Sequence, residues 1–569
     1  MAGRARGVVV AMLLCAACPG DSGDESSTDT ISGGTDPALT SSTGGDATAA
    51  TSDPPGPTTG PGDTTSDPPL TTTEPPATEP TTVGPSTDPT DDTSTGETDT
   101  GGGVALVNVR LVPQAGVSGV QRVNFAVPLR PGQLTDDGAV TVRLAGTELA
   151  TARRGLARHP NGSWRSVQVQ VDVDIVGEVD LEVEVGAAPG LMGIDAVAVA
   201  DTLVDDSSGP RVWALLPADW LSASGLAGPL GTEADAAATP GAAWASLCDY
   251  DEWGVDAFMG MMGQADVWLY DRGTIFYRGH ARRGDLGTLR SAYIETSIYR
   301  NTLSGSGADT EIGVPGKTGD AKYYYAQNMA LHYLMTGDDR FREGAEDVAE
   351  AYAALWADPG YAGGDDFWTE RHAGFALLAY VWAMNVSDDQ AAQFRGLADE
   401  AVAAYIAVQE TYPIGYADAE ARCFAHSDVA AGEDFGFFGC SPWLSAILAD
   451  GMDQYATESA DAEADAARAS IIKLGRIVAR DGLDPEGRPF YWMNVGNTDG
   501  AVDDYDEHWG ESAYVVALAY HHDGGVDAGL AATADELVAG FAAFGEVPHM
   551  RSFNWQCRSA VATPWLLAP

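Results

Sequence analysis

Two periodicities divide the chain. Between residues 104 and 205, apolar and polar residues alternate in "LVNVRLVPQ", "VQRVNFAVPL", "AVTVRLAGTEL", "SVQVQVDVDI" and "VDLEVEVGA", with Gly, Pro or Asp-Gly between the runs. A period of two sends successive side chains to opposite faces, so these runs predict half-buried antiparallel strands in a small barrel or sandwich. From Val212 onward the apolar spacing becomes helical. Amphipathic segments are predicted near 287–303, 320–336, 339–357, 370–386, 389–410, 439–456, 461–481, 510–522, 528–543 and 554–567, parted by breakers such as "TGDDR" and "DGLDPEGRP". Helices of this length, joined in pairs by alternately short and long loops, predict an α/α toroid. The folded part therefore reads as a small antiparallel β domain at 104–205 followed by a helical domain at 206–569.

Neither period reaches the N-terminus. "MAGRARGVVVAMLLCAACPG" sets Arg4 and Arg6 before a short apolar run and small residues before Cys18, the pattern of a secretory signal too short to span a bilayer. Its end resembles the lipobox of bacterial lipoproteins, which implies a signal at 1–18 and acylation of Cys18. The expected location is a lipid-anchored outer-membrane or cell-surface protein, with free secretion as the alternative. Residues 19–103 are almost wholly Thr, Ser, Pro, Gly and Asp, without Lys, Arg, Cys or an aromatic residue. Such a segment buries too little apolar surface to offset its conformational entropy and reads as a disordered, solvated tether.

Charge narrows the partners. With 83 acidic against 31 basic residues, a formal net charge of −52, the chain is a poor ligand for nucleic acid or any polyanion held by diffuse electrostatics. A local gathering of cations is correspondingly informative. Of Cys248, Cys423, Cys440 and Cys557, the middle two flank one loop and are the expected bridge in an exported protein, and no spacing among them suggests zinc. No metal, cofactor or protein partner is predicted.

Within the alternating half, "NFAVPLRPGQL" and "RHPNGSWRSVQVQVDV" carry Pro128, Leu129, Gly132 and Leu134, then Pro160, Asn161, Gly162, Ser163, Trp164 and Arg165. These residues resemble the Pro-Leu-x-x-Gly-x-Leu stretch and Pro-Asp-Gly-Ser turn of the RIFT-barrel domain of exo-rhamnogalacturonan lyase-like proteins, with Asn161 in place of Asp. In the helical half, "MALHYLMTGDDRFREGAEDVAEAY" resembles the helix–turn–helix of carbohydrate-active α/α toroids. Barrel then toroid is also that family's order. The resemblance implies a polysaccharide substrate and lyase chemistry. The family's usual C-terminal β-sandwich has no counterpart, because the helical pattern runs to Trp565.

Side chains fit for such chemistry gather in a few stretches of the helical half. "YDRGTIFYRGHARRGD" supplies Arg278, His280 and Arg282 as candidates for holding a uronate, the alternative being a solvated face neutralised by Asp271 and Asp285. "DDFWTERHAGF" places Glu370, Arg371 and His372 behind Thr369 at a helix start. The helix dipole disfavours cations there, so Arg371 and His372 are expected to face a cleft, with Trp368 stacking on sugar. "DAKYYYAQN" offers Lys322 for substrate and Tyr325 for proton transfer, against the plainer reading of a tyrosine stripe in a core. "YWMNVGNTDGAVDDYDEHWGES" crowds Asn494, His508, Trp509 and Glu511 with Tyr491 and Asp504, and "AHSDVAAGEDFGFFGCSPW" adds His426, Glu433, Asp434 and Trp443.

These residues support three readings. In a lyase, Arg278 or Arg371 neutralises a uronate carboxylate and His372 or Tyr325 takes the adjacent proton. An acid then protonates the leaving oxygen, and no metal is needed. His508 and Glu370 complete that catalytic set. In a glycoside hydrolase, two of Glu370, Asp434, Asp504 and Glu511 act as acid and base. In the third reading the protein only binds glycan at the cell surface. Walker, HExxH and Ser–His–Asp signatures are absent. The lyase is the preferred expectation.

Overall fold

The computed structural model describes residues 103–237, 248–356, 369–413, 415–425, 439–496, 500–502, 508–544 and 549–568. Cys18, the tether, Trp368, His426, Glu433, Asp434 and Asp504 lie outside them.

The alternating half forms two antiparallel sheets. Strands β1 (Ala105–Pro113), β2 (Gly119–Pro128), β3 (Val140–Leu144), β4 (Thr151–Arg158), β5 (Trp164–Ile175), β6 (Val179–Val185) and β7 (Val212–Leu215) pair as β7-β1-β6-β3 and β2-β5-β4. Alternation decides the faces: Val107, Val109 and Leu111 of β1 point inward, as do Leu181, Val183 and Val185 of β6. The Asn161-Gly162 turn links β4 to β5. Asn161 accepts from the Ser163 amide at 3.1 Å, and Gly162 takes a φ of 83°, open to glycine without strain.

Two strands depart from the expectation. "TARRGLAR" shows no clean alternation, yet it pairs along β5 from Thr151↔Val171 to Arg158↔Trp164. Val212–Leu215, expected to begin the helical half, instead pairs antiparallel with β1, so the sheet extends past residue 205. A run buried on both faces gives no period of two.

The helical half comprises α1 (Arg272–Arg283), α2 (Leu286–Arg300), α3 (Gln327–Thr336), α4 (Asp339–Leu355), α5 (Glu370–Val386), α6 (Ala391–Thr411), α7 (Ser445–Glu458), α8 (Asp461–Asp481), α9 (Trp509–His522), α10 (Ala528–Phe544) and α11 (Met550–Ser559). The odd-numbered helices are buried almost throughout, and each contacts the next in the cycle α1-α3-α5-α7-α9-α11-α1. The even-numbered helices pack outside this ring, each on the inner helix before it. Close packing shows at Gly374, where a Cβ would stand 2.6 Å from the Ile447 backbone carbon of α7.

Helix α1 is the principal element missed by periodicity. Its "RGTIFYRGHARR", expected to form a basic or solvated face, shows no polar stripe because Arg272, Arg278 and Arg282 are buried with the apolar residues. Its start is set by Asp271, whose carboxylate accepts from the Thr274 amide at 3.2 Å, and its end by Gly284 in the left-handed region. Cys423 bonds Cys440 across the expected loop, and Cys248 bonds Cys557, tying the approach to α1 onto α11.

The sheets dock on the C-terminal ends of the inner helices. Asn124 and Gln168 donate to the Thr336 carbonyl at the end of α3, at 2.8 and 3.1 Å. Arg165 donates to Asn385 of α5 at 3.1 Å and forms a two-pronged ion pair with Glu458 of α7. One end of the ring is thereby closed by the β half. The N-terminal ends of the inner helices lie away from it.

Candidate functional site

Residues in or just before the first turns of the inner helices meet in one cluster. Tyr270 precedes α1, Lys322 and Tyr325 precede α3, Arg371 opens α5, Trp443 precedes α7, His508 precedes α9, and Arg551 and Trp555 belong to α11. Arg371 Nη1 donates to Tyr270 Oη at 2.7 Å. The Tyr270 ring stands edge-on to Trp555 and Trp443, with centroids 5.1 and 6.2 Å apart. His508 stacks on Trp443 at 4.1 Å with planes 7° apart and lies 4.8 Å from Trp555. Arg551 lies over the Trp555 face at 4.4 Å, and Tyr491, from strand β8 (Phe490–Asn494), closes on Trp443 at 5.4 Å.

Two observations mark this cluster as more than packing. Tyr270 and Asp271 carry φ values of 70° and 61°, the left-handed region that non-glycine residues avoid, which aims the Tyr270 side chain into the cluster as the chain enters α1. The cations, moreover, are unmatched. Among the described residues neither Arg371 nor Arg551 has a carboxylate partner, and the Nε of each is buried without a hydrogen-bond acceptor. Both side chains are half-buried, and withdrawing a cation from water without a counter-charge is costly.

The electrostatics follow from burial. Burial pushes the Tyr270 phenol up to about 12, with Arg371 and Arg551 pulling against it, so the hydroxyl keeps its proton at neutral pH. Burial, assisted by Arg551, holds the His508 imidazole well below the usual histidine range and therefore neutral. The Lys322 ammonium is pushed down by burial, with Asp320 opposing and Arg371 adding to the depression. A neutral imidazole, a protonated phenol and a guanidinium bound to that phenol thus stand together among aromatic rings, with Glu511 3.8 Å from the imidazole.

Other expected site residues are placed differently. Arg278 lies in the ring interior, bound through both carboxylate oxygens of Asp450 at 3.0 Å, and Arg558 binds the same carboxylate at 2.7 Å. His280 is buried against the Asp285 carbonyl at 3.1 Å, its imidazole pushed down to about 4 by burial. Arg282 is buried beside Tyr250. The expected basic surface is therefore one face of a core helix. Trp509 fills the space over Gly540 between α9 and α10, a packing role. Asn494 pairs through its backbone with Gly439 at the end of its strand.

The helix start that carries Arg371 is split by its own geometry. Arg371 reaches the cluster, whereas His372 Nδ1 sits 3.0 Å from Thr369 Oγ1 with its ring against Trp356. Glu370 accepts from the Ser441 amide at 3.1 Å and ties α5 to the approach to α7. Tyr325 donates to the Lys322 carbonyl at 2.7 Å and accepts from the Tyr270 amide at 2.9 Å, so its proton is committed to the backbone. It is the pin that holds Tyr270, and Tyr270 takes the position expected of it.

Tyr270, Arg551 and Trp555 are the residues that sequence reasoning missed. The capping Asp271 was legible before "RGT", but a left-handed Tyr270 leaves no sequence signal. Arg551 and Trp555 stand four residues apart in "MRSFNW", a helical spacing, but the predicted helix began at 554 and left Arg551 in a loop.

No protein-family model matches the chain, and no curated protein matches it significantly. A solved structure titled as a polysaccharide lyase aligns over 57% of this chain and 97% of its own, at 12% identity and a TM-score of 0.37. A likeness so distant carries no argument, and the cluster has to be read from its own geometry.

Proposed function

We propose that the helical half is an α/α toroid whose open end binds a uronate-containing polysaccharide and cleaves it by β-elimination. The observation that carries this reading is Arg371, a guanidinium without a carboxylate partner among the described residues, donating to a Tyr270 that retains its own proton. A uronate carboxylate supplies the missing counter-charge, and its neutralisation makes the C–H bond beside it acidic. The neutral imidazole of His508 takes that proton. The electron pair of the C–H bond becomes the new C=C bond as the glycosidic C–O bond breaks, and the Tyr270 hydroxyl protonates the departing oxygen. Trp443 and Trp555 are buried beneath His508 and Arg551 and hold those groups in place. Metal-ion chemistry is not required by this scheme.

Hydrolysis would instead need two carboxylates flanking the scissile bond. Of the described candidates Glu370 is directed to the Ser441 amide, and Glu511 stands 3.8 Å from His508. The elimination reading therefore fits the cluster better. Incubation of the purified chain with a panel of uronate polysaccharides separates the possibilities. Elimination yields unsaturated products that absorb in the ultraviolet, hydrolysis yields new reducing ends without that absorbance, and a binding protein yields neither.

The same reading places the toroid at the cell surface, tethered through acylated Cys18. Cys18→Ser should move the exported protein from the detergent to the aqueous phase, and equal partitioning of the two forms would contradict the anchor.

A further inference from the structure

We propose that the open end of the ring holds two acidic groups of its ligand at once, the first at Arg371 and the second at Arg551. This inference rests on the proposed acidic-glycan reading and names the substrate class more closely: a glycan whose neighbouring sugars each carry an anionic group, carboxylate or sulfate.

Pairing habits elsewhere in the ring make the case. Arg272 grips both oxygens of Glu295, Arg278 and Arg558 share Asp450, and Arg340 is held by Asp206 and Asp338. Arg371 and Arg551 lack such a carboxylate among the described residues, as does Arg282 beside Tyr250 near the other end of α1, but Arg371 and Arg551 occur together at the helix starts. Both act on the Tyr270 phenol, yet they rest on different neighbours. Arg371 bonds the Tyr270 hydroxyl, whereas Arg551 lies over Trp555, whose ring stands edge-on to that of Tyr270. A cation resting on an indole face keeps its N–H groups in the ring plane of the guanidinium, directed outward to an acceptor. Each guanidinium thus has its own aromatic neighbour, Tyr270 for Arg371 and Trp555 for Arg551, and among the described residues no carboxylate joins them as Asp450 joins Arg278 to Arg558. Lys322, its charge weakened by burial and by Arg371, lies on the Arg371 side and does not substitute for a second anchor.

The test is calorimetric binding of galacturonate, glucuronate and digalacturonate to the full chain in its wild-type, Arg551→Gln, Arg551→Lys and Arg371→Gln forms. The inference predicts that Arg551→Gln weakens digalacturonate by roughly tenfold or more while leaving the single acids within about twofold, since loss of one charge-assisted contact is worth a decade or more of affinity. Arg551→Lys should recover part of the digalacturonate affinity, and Arg371→Gln should weaken every acid. Equal losses for single and double acids in Arg551→Gln would show one carboxylate bridging both cations and overturn the inference. So would no loss for any ligand, which would make Arg551 a packing residue. A failure of the underlying reading is distinct: wild-type protein would then bind no acid at all. Melting temperatures of each variant separate weakened binding from misfolding.

Discussion

Two clusters of arginine inside the same helical ring have opposite fates. In the interior, Arg278 and Arg558 close on Asp450, whose carboxylate burial alone would push up but which the two guanidiniums hold below its usual range. Arg558 also donates to Gln327 at 2.7 Å, so the triad cross-links α1, α3, α7 and α11. At the N-terminal ends of the inner helices, Arg371 and Arg551 have aromatic rings and a phenol around them, and neither forms an ion pair with a described carboxylate, although Glu511 stands 3.8 Å from the neighbouring His508. The first cluster is complete without a ligand, and in the proposed reading a ligand completes the second. Residue type is the same in both, so pairing, rather than the presence of cations, distinguishes these two clusters.

The comparison breaks most readily at Asp450. Asp450→Asn strands two buried guanidiniums and should cost about 3–5 kcal/mol of stability, read by chemical denaturation. Turnover per folded molecule should be unchanged, and a variant that melts like wild type would remove the scaffold assignment. Arg371→Lys keeps the charge but loses the planar fork that grips a carboxylate. It should raise KM by about tenfold, measured by initial rates, with little change in melting temperature.

The pH profile sharpens the same contrast. His508 must be neutral to accept a proton, and because its folded value is depressed, that form persists as pH falls below the ordinary histidine value of about 6.5. Tyr270 must keep its proton, and with its value raised to about 12 it does so well into the alkaline range. The rate should therefore hold a broad plateau from below pH ~6.5 upward, and an acid limb at the ordinary histidine value would show that an exposed histidine is the base. Smallest of all is Arg283→Gln. Arg283 belongs to the same basic stretch as Arg278 but pairs at the surface with Asp285 and Asp251, at 2.6 and 3.3 Å. Its loss should change stability by less than about 1 kcal/mol and leave activity alone.

Much of the fold was legible because burial leaves a period. The alternation of β1, β2, β5 and β6 and the amphipathic stripes of the outer helices identify those elements closely. The failures share one cause. Helix α1 and strand β7 are buried on every side, so neither shows a polar face from which to read a period. The same cause misplaced the basic patch: Arg278, His280 and Arg282 follow one another along α1, and only the tertiary partners reveal that they face the core. Of the candidate site, Arg371, His508 and Lys322 were legible as polar groups at helix starts. Which neighbour at a start faces inward, Arg371 rather than His372, depends on the helix's rotation about its axis. That rotation is set by packing such as Gly374 against α7. Tyr270 was hidden by a backbone conformation with no sequence mark.

The central claim is that the unmatched cluster, and Tyr270 within it, performs the chemistry. Its most direct test is Tyr270→Phe, which removes a single oxygen and keeps the ring that packs on Trp555 and Trp443. Ultraviolet-absorbing product release from the uronate polymer that wild type degrades should fall by about 10²–10⁴-fold, the usual contribution of a positioned proton donor. The melting temperature and the binding of digalacturonate should stay close to wild type. Product release at the wild-type rate from a normally folded Tyr270→Phe would contradict the account.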